Sequence, residues 1–199
     1  MLIAIEGCMG AGKTTVAQGL AARRLSMPLL EAFELNPFLR AFSQDPVRFA
    51  FETEFTFLMI HLHQLKCLGT LAATSEIVAD FHVGKDLIYA DLNLSDGRAK
   101  SLFRELYEVG VEPMPQPELM ILLAAPDELL HERIRLRDRD FELKLAPSYF
   151  ASLNAAYERW YGQYPGRKML IDMNDWDFVR DPALFDKLSE AIDRTLSDR

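Results

Sequence analysis

LIAIEGCMGAGKTTVAQGLAARR, Leu2 to Arg24, is the stretch whose reading decides the fold. LIAIE is a short apolar run with a terminal glutamate, and KTTVAQGLAARR, Lys13 to Arg24, has the apolar spacing of an amphipathic helix. Between them GCMGAGKT, Gly7 to Thr14, satisfies GxxxxGK[ST], in the strand–loop–helix context that the motif requires. Glycines let the main chain wrap close to a phosphate, whose charge meets exposed N–H groups at the positive end of the following helix. The nucleotide contacts expected here run through Gly7, Cys8, Met9, Gly10, Ala11, Gly12, Lys13, Thr14 and Thr15. Lys13 is expected on the β- and γ-phosphates and the Thr14 hydroxyl on Mg²⁺. Cys8 reads as a small loop residue rather than a nucleophile.

Outward from this segment, MPLLEAF, SEIVADF, ELMILLAA and RKMLIDM read as four further short strands, each separated from the next by helical sequence. Such alternation predicts an α/β fold: parallel strands, right-handed crossovers and helices on both faces of the sheet. Ala50 to Ala73 is the longest helical candidate, followed by Leu129 to Arg139 and Pro147 to Tyr161. Ser95 to Lys100 and the proline-rich Glu112 to Pro117 read as loops.

With 199 residues, the chain is expected to form one domain over 1–199. A net charge of −8 argues against a nucleic-acid polymer as the main partner, although clustered arginines can still hold a small phosphate ligand. No apolar run approaches the ~18 residues needed to span a bilayer. The two cysteines, Cys8 and Cys67, form no CxxC, and the amino terminus lacks the features of a signal peptide. A reducing, cytoplasmic setting is therefore expected.

The phosphate loop leaves the reaction open. A regulatory GTPase would carry NKxD, which is not found, and DFHVG has its glycine one residue too late for the DxxG switch. A motor or remodelling ATPase is usually larger, with a clear Walker B strand followed by glutamate. Small kinases remain, and they need an acceptor pocket. Glu31 and Asp80 each end an apolar run, where open α/β sheets bind ligands. Each can take a proton from an attacking hydroxyl or hold Mg²⁺, or can serve as a helix cap or loop ion pair. HERIRLRDRDFE, His131 to Glu142, concentrates arginines, and Arg133 and Arg137 lie one helical turn apart. They could close over a phosphoryl group, or belong to a solvated helix with pairs such as Arg135 to Asp138.

Together, IEGCMGAGKTT, EAFELNPFL, the helix carrying FETEFTFL, ADFHVGKD, RIRLRDRDFE and IDMNDWDF resemble the deoxynucleoside kinases over nearly the whole chain. The resemblance implies a P-loop kinase fold with a five-stranded parallel sheet, helices on both faces and an arginine-rich lid. It also implies transfer of the ATP γ-phosphate to a deoxynucleoside 5'-hydroxyl, and a homodimer built on helices. By the same resemblance Glu31 is the general base, and Asp80 falls at the acid associated with Mg²⁺. Arg133, Arg137 and Arg139 match lid arginines, Glu142 contacts the sugar 3'-hydroxyl, and Asp172 to Phe178, including Asp175 and Phe178, lies beside the adenine of ATP. Phe81 and His82 depart from the family pattern of Arg and Ser, so one cation is missing, and Lys85 is a candidate to replace it. Ser43 stands where relatives have a tyrosine on the 3'-hydroxyl.

Glu54 aligns with the family's base-reading glutamine and His61 with an arginine that faces the base. With Phe51, Phe55 and Leu58 they are expected on one helix face; by the same resemblance Asp86 matches an aspartate near the base and could pair with His61. Glu52 points about 200° away from Glu54 and reads as solvated. An ionised glutamate only accepts, and guanine presents two adjacent donors, with O6 left for a protonated His61 or another donor. Deoxyguanosine is therefore the expected substrate. The bland alternative is a structural ion pair of Glu54 with His61 or Lys66. Competing functions are a nucleoside monophosphate (thymidylate-type) kinase and a catalytically weakened nucleotide-binding regulator.

Overall fold

The computed structural model describes residues 1–69 and 71–197. Strand β1, Leu2–Glu6, is buried at every position, as a strand covered by helices on both faces must be. After the glycine-rich loop come α1 (Lys13–Arg24), β2 (Met27–Leu29), α2 (Leu39–Gln44) and the long α3 (Pro46–Leu68). Next are α4 (Leu71–Thr74), β3 (Ile77–Ala79), α5 (Lys85–Asn93), α6 (Gly97–Val111) and β4 (Leu119–Ala124). Then follow α7 (Asp127–Arg137), α8 (Asp140–Leu143), α9 (Pro147–Gln163), β5 (Lys168–Asp172) and α10 (Leu184–Ser197). The strands form one parallel sheet in the order β2-β3-β1-β4-β5. All five expected strands are present, and the sheet has the expected P-loop kinase architecture.

The sheet divides the apolar interior in two. One core packs Leu20 of α1, Leu153 and Tyr157 of α9 and Leu188 of α10 around β1 and β4. The other packs Phe42, Leu58 and Leu65 against Ile77, Ala79 and Phe103. β1 lies between β3 and β4, so the chain crosses from one half of the sheet to the other beside it. Ligands bind beyond the carboxyl ends of strands at such a switch point.

Several boundaries differ from those expected. α3 starts at Pro46 rather than Ala50, because the Asp45 side chain accepts from the Arg48 N–H and Pro46 suits a first helical turn. It ends at Leu68, where Gly69 adopts φ 43°; Thr70, within the expected helix, lies outside the described residues. The expected loop at Ser95 to Lys100 is mostly helix: Asp96 Oδ1 accepts from the Arg98 N–H at 3.2 Å, and Gly97 begins α6. α7 stops at Arg137 instead of Arg139, because Asp138 takes the left-handed φ of 52°.

Candidate active site

A cavity of about 1160 Å³ lies across the carboxyl ends of the strands, between the phosphate loop, α3, α5 and the arginine-rich segment. Met9, Gly10, Gly12, Lys13, Thr14 and Thr15 line it. Gly10 has φ 87°, and a Cβ there would meet the Leu130 carbonyl at 2.8 Å, so only glycine fits. Lys13 Nζ donates to the carbonyls of Gly7 at 2.7 Å and Cys8 at 3.2 Å, bracing the loop from within. Gly7, Cys8 and Ala11 are not on the cavity wall, a departure from the expected contact set. The Cys8 and Ala11 side chains are instead packed into the interior. Burial pushes the Cys8 thiol up to about 12, which leaves it without nucleophilic character near neutral pH.

Glu6, whose role the sequence reading missed, ties this loop to its neighbour. Fully buried, it accepts from the Gly7 N–H at 3.1 Å and from the His82 N–H at 2.7 Å. Burial raises its pKa against the pull of Lys85 and Lys13. The signal available was a lone carboxylate ending the strand that feeds the loop.

Glu31 leaves the end of β2 and is held from several directions. Its N–H donates to Asp80 Oδ1 at 2.6 Å, while Gln64 of α3 accepts from the Ala32 N–H and donates to the Leu30 carbonyl. Its side-chain Oε1 accepts from Lys85 Nζ at 2.8 Å and faces His61 Nε2 at 3.0 Å. Burial alone would raise the Glu31 pKa, but Lys85 and His61 hold it well below the usual carboxylate range. Asp80 Oδ2 accepts from the Thr14 hydroxyl at 2.6 Å, which brings the two expected metal ligands to one point on the cavity rim. Among the described residues no group of three or more His, Cys, Asp or Glu could hold a metal, but Mg²⁺ commonly uses one or two protein oxygens and completes its shell with water and phosphate. The pair fits that requirement.

The left-handed turn at Asp138 folds α8 back beneath α7. Glu142, 2% exposed, is thereby brought against the Arg137 guanidinium, and Arg139 approaches it at 3.4 Å. Arg139 also lies over the Phe33 ring at 4.1 Å. Arg133 donates to the Ala11 carbonyl at 3.0 Å and lines the cavity together with Arg137, Arg139 and Glu142.

On α3 the cavity is faced by Thr53, Glu54, Phe57 and His61. Phe51 and Phe55 do not line it, contrary to expectation. Phe51 is 45% exposed and stacks on Phe55, which meets Phe103 of α6 edge-on. At 100° per residue these rings sit on the flank turned toward α6, and Leu58 lies in the core. Glu52 lies at the surface as expected, in an exposed pair with Arg48 at 2.7 Å. His61 is fully buried, with Nδ1 at 2.8 Å from Asp86 and Phe81 stacked on its ring. Burial opposes its protonation, but Asp86 and Glu31 raise its pKa to about 9. Both ring nitrogens are engaged, so His61 has no proton to spare for a base oxygen.

Glu54 is 3% exposed, and neither His61 nor Lys66 pairs with it. Its Oε1 instead accepts from Asn93 Nδ2 at 2.8 Å, and the same amide reaches the Tyr149 hydroxyl at 3.1 Å. Burial raises the Glu54 pKa to about 8, against the Asn93 hydrogen bond, which favours the neutral acid over the expected acceptor-only carboxylate. Asn93 and Tyr149 lie 39 and 95 positions beyond Glu54, and no motif marks either. Phe178 borders the cavity with Asp177 and Arg180, but Asp175 does not; its N–H closes a turn on the Asp172 carbonyl. Ser43 lines the cavity, its hydroxyl donating to the Arg40 carbonyl at 2.9 Å.

The deoxynucleoside kinase family model matches residues 3–197. A deoxyguanosine kinase of Bacillus subtilis is 31% identical over 96% of this chain and 95% of its own length. A deoxyadenosine/deoxycytidine kinase of the same organism is 26% identical over 99% and 94%. Among solved structures, deoxyadenosine kinase from M. mycoides with bound dATP superposes with a TM-score of 0.83 at 25% identity, covering 95% of this chain and all of that one.

Proposed function

The chain belongs to the deoxynucleoside kinase family, and from that membership we propose that it transfers the γ-phosphate of ATP to the 5'-hydroxyl of a deoxynucleoside, purines being favoured and deoxyguanosine first among them. The observation that carries this is Glu31 and the phosphate loop on the wall of one cavity, linked through Asp80, with Arg133, Arg137 and Arg139 lining it too. Phosphoryl transfer passes through a loose transition state, so positioning and charge neutralisation do most of the work. Lys13, Arg133 and Arg137 neutralise the phosphates; among the described residues Lys85 and His61 hydrogen-bond Glu31 through Oε1, which leaves Oε2 to receive the 5'-hydroxyl proton. Lys85 stands in for the cation absent at Phe81, which is 1% exposed and stacked on His61. Thr14 and Asp80 would hold Mg²⁺, which when bound screens the phosphate charge.

Guanine is favoured because Glu54 serves it in either protonation state. A carboxylate accepts from N1–H and N2–H₂, and an acid accepts from N1–H while donating to O6. A panel of deoxyguanosine, deoxyadenosine, deoxycytidine, thymidine and thymidine monophosphate with Mg-ATP tests the reading. Product is expected with the purine nucleosides, highest kcat/KM with deoxyguanosine and none with the monophosphate. Turnover of the monophosphate alone would favour a thymidylate-type kinase, and no turnover of any acceptor a regulatory nucleotide-binding protein.

A homodimer is part of the proposal. Leu102, Leu106 and Val109 make an exposed apolar stripe on α6, beside Phe51 and Met59 of α3. Light scattering is expected to give a dimer mass that Leu106→Glu with Val109→Glu reduces to the monomer. A wild-type monomer would end this part. No helix among the described residues is long and apolar enough to cross a membrane, and the free thiols of Cys8 and Cys67 suit a reducing cytoplasm.

A further inference from the structure

Glu54 is a buried carboxyl on the wall of a ligand cavity, and among the described residues no Lys, Arg or His forms an ion pair with it. Among the described residues its side chain takes one hydrogen bond, from a neutral amide, Asn93 Nδ2, to Oε1. That bond gives the two oxygens different tasks. Oε1, already accepting, stays the carbonyl-like acceptor, and a proton on the carboxyl resides on Oε2.

We infer that Glu54 reads two classes of base, acting as a carboxylate or acid toward guanine and only as an acid toward adenine or cytosine, so that deoxyadenosine is a second substrate whose use follows the proton on Glu54. The chemistry is a matter of edges. Adenine and cytosine present a ring-nitrogen acceptor beside an amino donor, and they need one donor and one acceptor from the protein. The acid supplies both, as an amide would: Oε2–H toward the ring nitrogen and Oε1 toward the amino group. The carboxylate supplies two acceptors, and one then faces the ring nitrogen lone pair. Guanine meets no such conflict in either state. The inference rests on the reading that the bound base faces Glu54.

The charged surroundings set the balance. Lys85 and Asp86 of α5, His61 of α3 and Tyr149 of α9 face or flank the carboxyl, while α2 presents the neutral Phe42 and Ser43 to the cavity. The two cations and Asp86 act in opposite directions, and they largely answer one another through Glu31 and the His61–Asp86 pair. What remains is burial without a dedicated counter-ion, which favours the neutral acid.

The test is kcat/KM for deoxyguanosine and for deoxyadenosine between pH 6 and pH 9.5 at saturating Mg-ATP, on wild type and Glu54→Gln. The ratio of the two is the readout, because His61 titrates in the same range and affects both substrates alike. In the wild type the deoxyguanosine-to-deoxyadenosine ratio is expected to rise about tenfold from pH 7 to pH 9, the fall in the acid fraction of a group titrating near 8. In Glu54→Gln it stays flat, and deoxyadenosine is still used at pH 9. Calorimetry at pH 9 in buffers of different ionisation enthalpy is expected to show deoxyadenosine taking up about one proton on binding to the wild type and none to the variant. A flat wild-type ratio, with the variant shifting it at pH 7, overturns the proton dependence and leaves Glu54 on the base. A ratio that Glu54→Gln changes at no pH overturns the base reading as well.

Discussion

Glu31→Gln is expected to lower kcat by about 10²- to 10⁴-fold while leaving the KM for nucleoside within a few-fold, the range in which loss of a positioned proton acceptor falls. The amide keeps an oxygen to accept from Lys85 and His61, so the site's shape survives, but it cannot take the 5'-hydroxyl proton. Because the Glu31 pKa is depressed, the wild-type carboxylate is ionised across the neutral range and its own titration places no acid limb on the rate near pH 5. Lys85→Ala is the complement. With one cation gone from Oε1, kcat is expected to fall by about 10- to 100-fold, and the acid limb to move up toward the ordinary carboxylate range. Stopped-flow or coupled assays at saturating ATP give both numbers. Full turnover by either variant removes Glu31, or Lys85, from the mechanism proposed above.

Lys13→Ala is expected to be equally damaging, with a loss of about 10³-fold in kcat/KM for ATP. Two effects combine in one side chain. In the proposed reaction the ammonium neutralises charge on the transferring phosphoryl group, and its bonds to the Gly7 and Cys8 carbonyls brace the loop. Burial and the nearby Lys85 lower the Lys13 pKa, whereas Glu6 and Glu31 oppose that shift. Lys13→Arg is expected to recover little, because a planar fork does not replace a compact ammonium inside the loop. A circular-dichroism melt separates lost chemistry from lost fold: the alanine variant should melt as one transition near the wild type. Retention of more than a tenth of wild-type kcat/KM would show that the loop binds phosphate by its backbone alone.

Much of the candidate site was legible because it is local. GCMGAGKT carries its strand, turn and helix in one contiguous piece, and Glu31 and Asp80 were visible as charges ending apolar runs. The lid was legible in part. Arginine spacing placed Arg133 and Arg137 on one face, but it did not show that Asp138 breaks the helix and sends Glu142 back against Arg137. The α3 face was misjudged by a fraction of a turn, because Phe51 and Phe55 are as apolar as Phe57. Only the packing of α6 against α3 distinguishes the flank that meets Phe103 from the one that meets the cavity.

By itself the sequence determined the order of the strands and the glycine-rich loop, since these follow from periodicity and from residues adjacent along the chain, and its motifs carried the resemblance to the family. The tertiary structure alone decided who stands beside whom across the cavity. It set Lys85 and His61 on Glu31, Glu6 between two loops, and Asn93 rather than a cation on Glu54. The charge state of Glu54 belongs to this second group for a physical reason: a carboxyl's pKa depends on how much water it loses and which charges come within a few ångströms, and neither distance exists until the chain has folded.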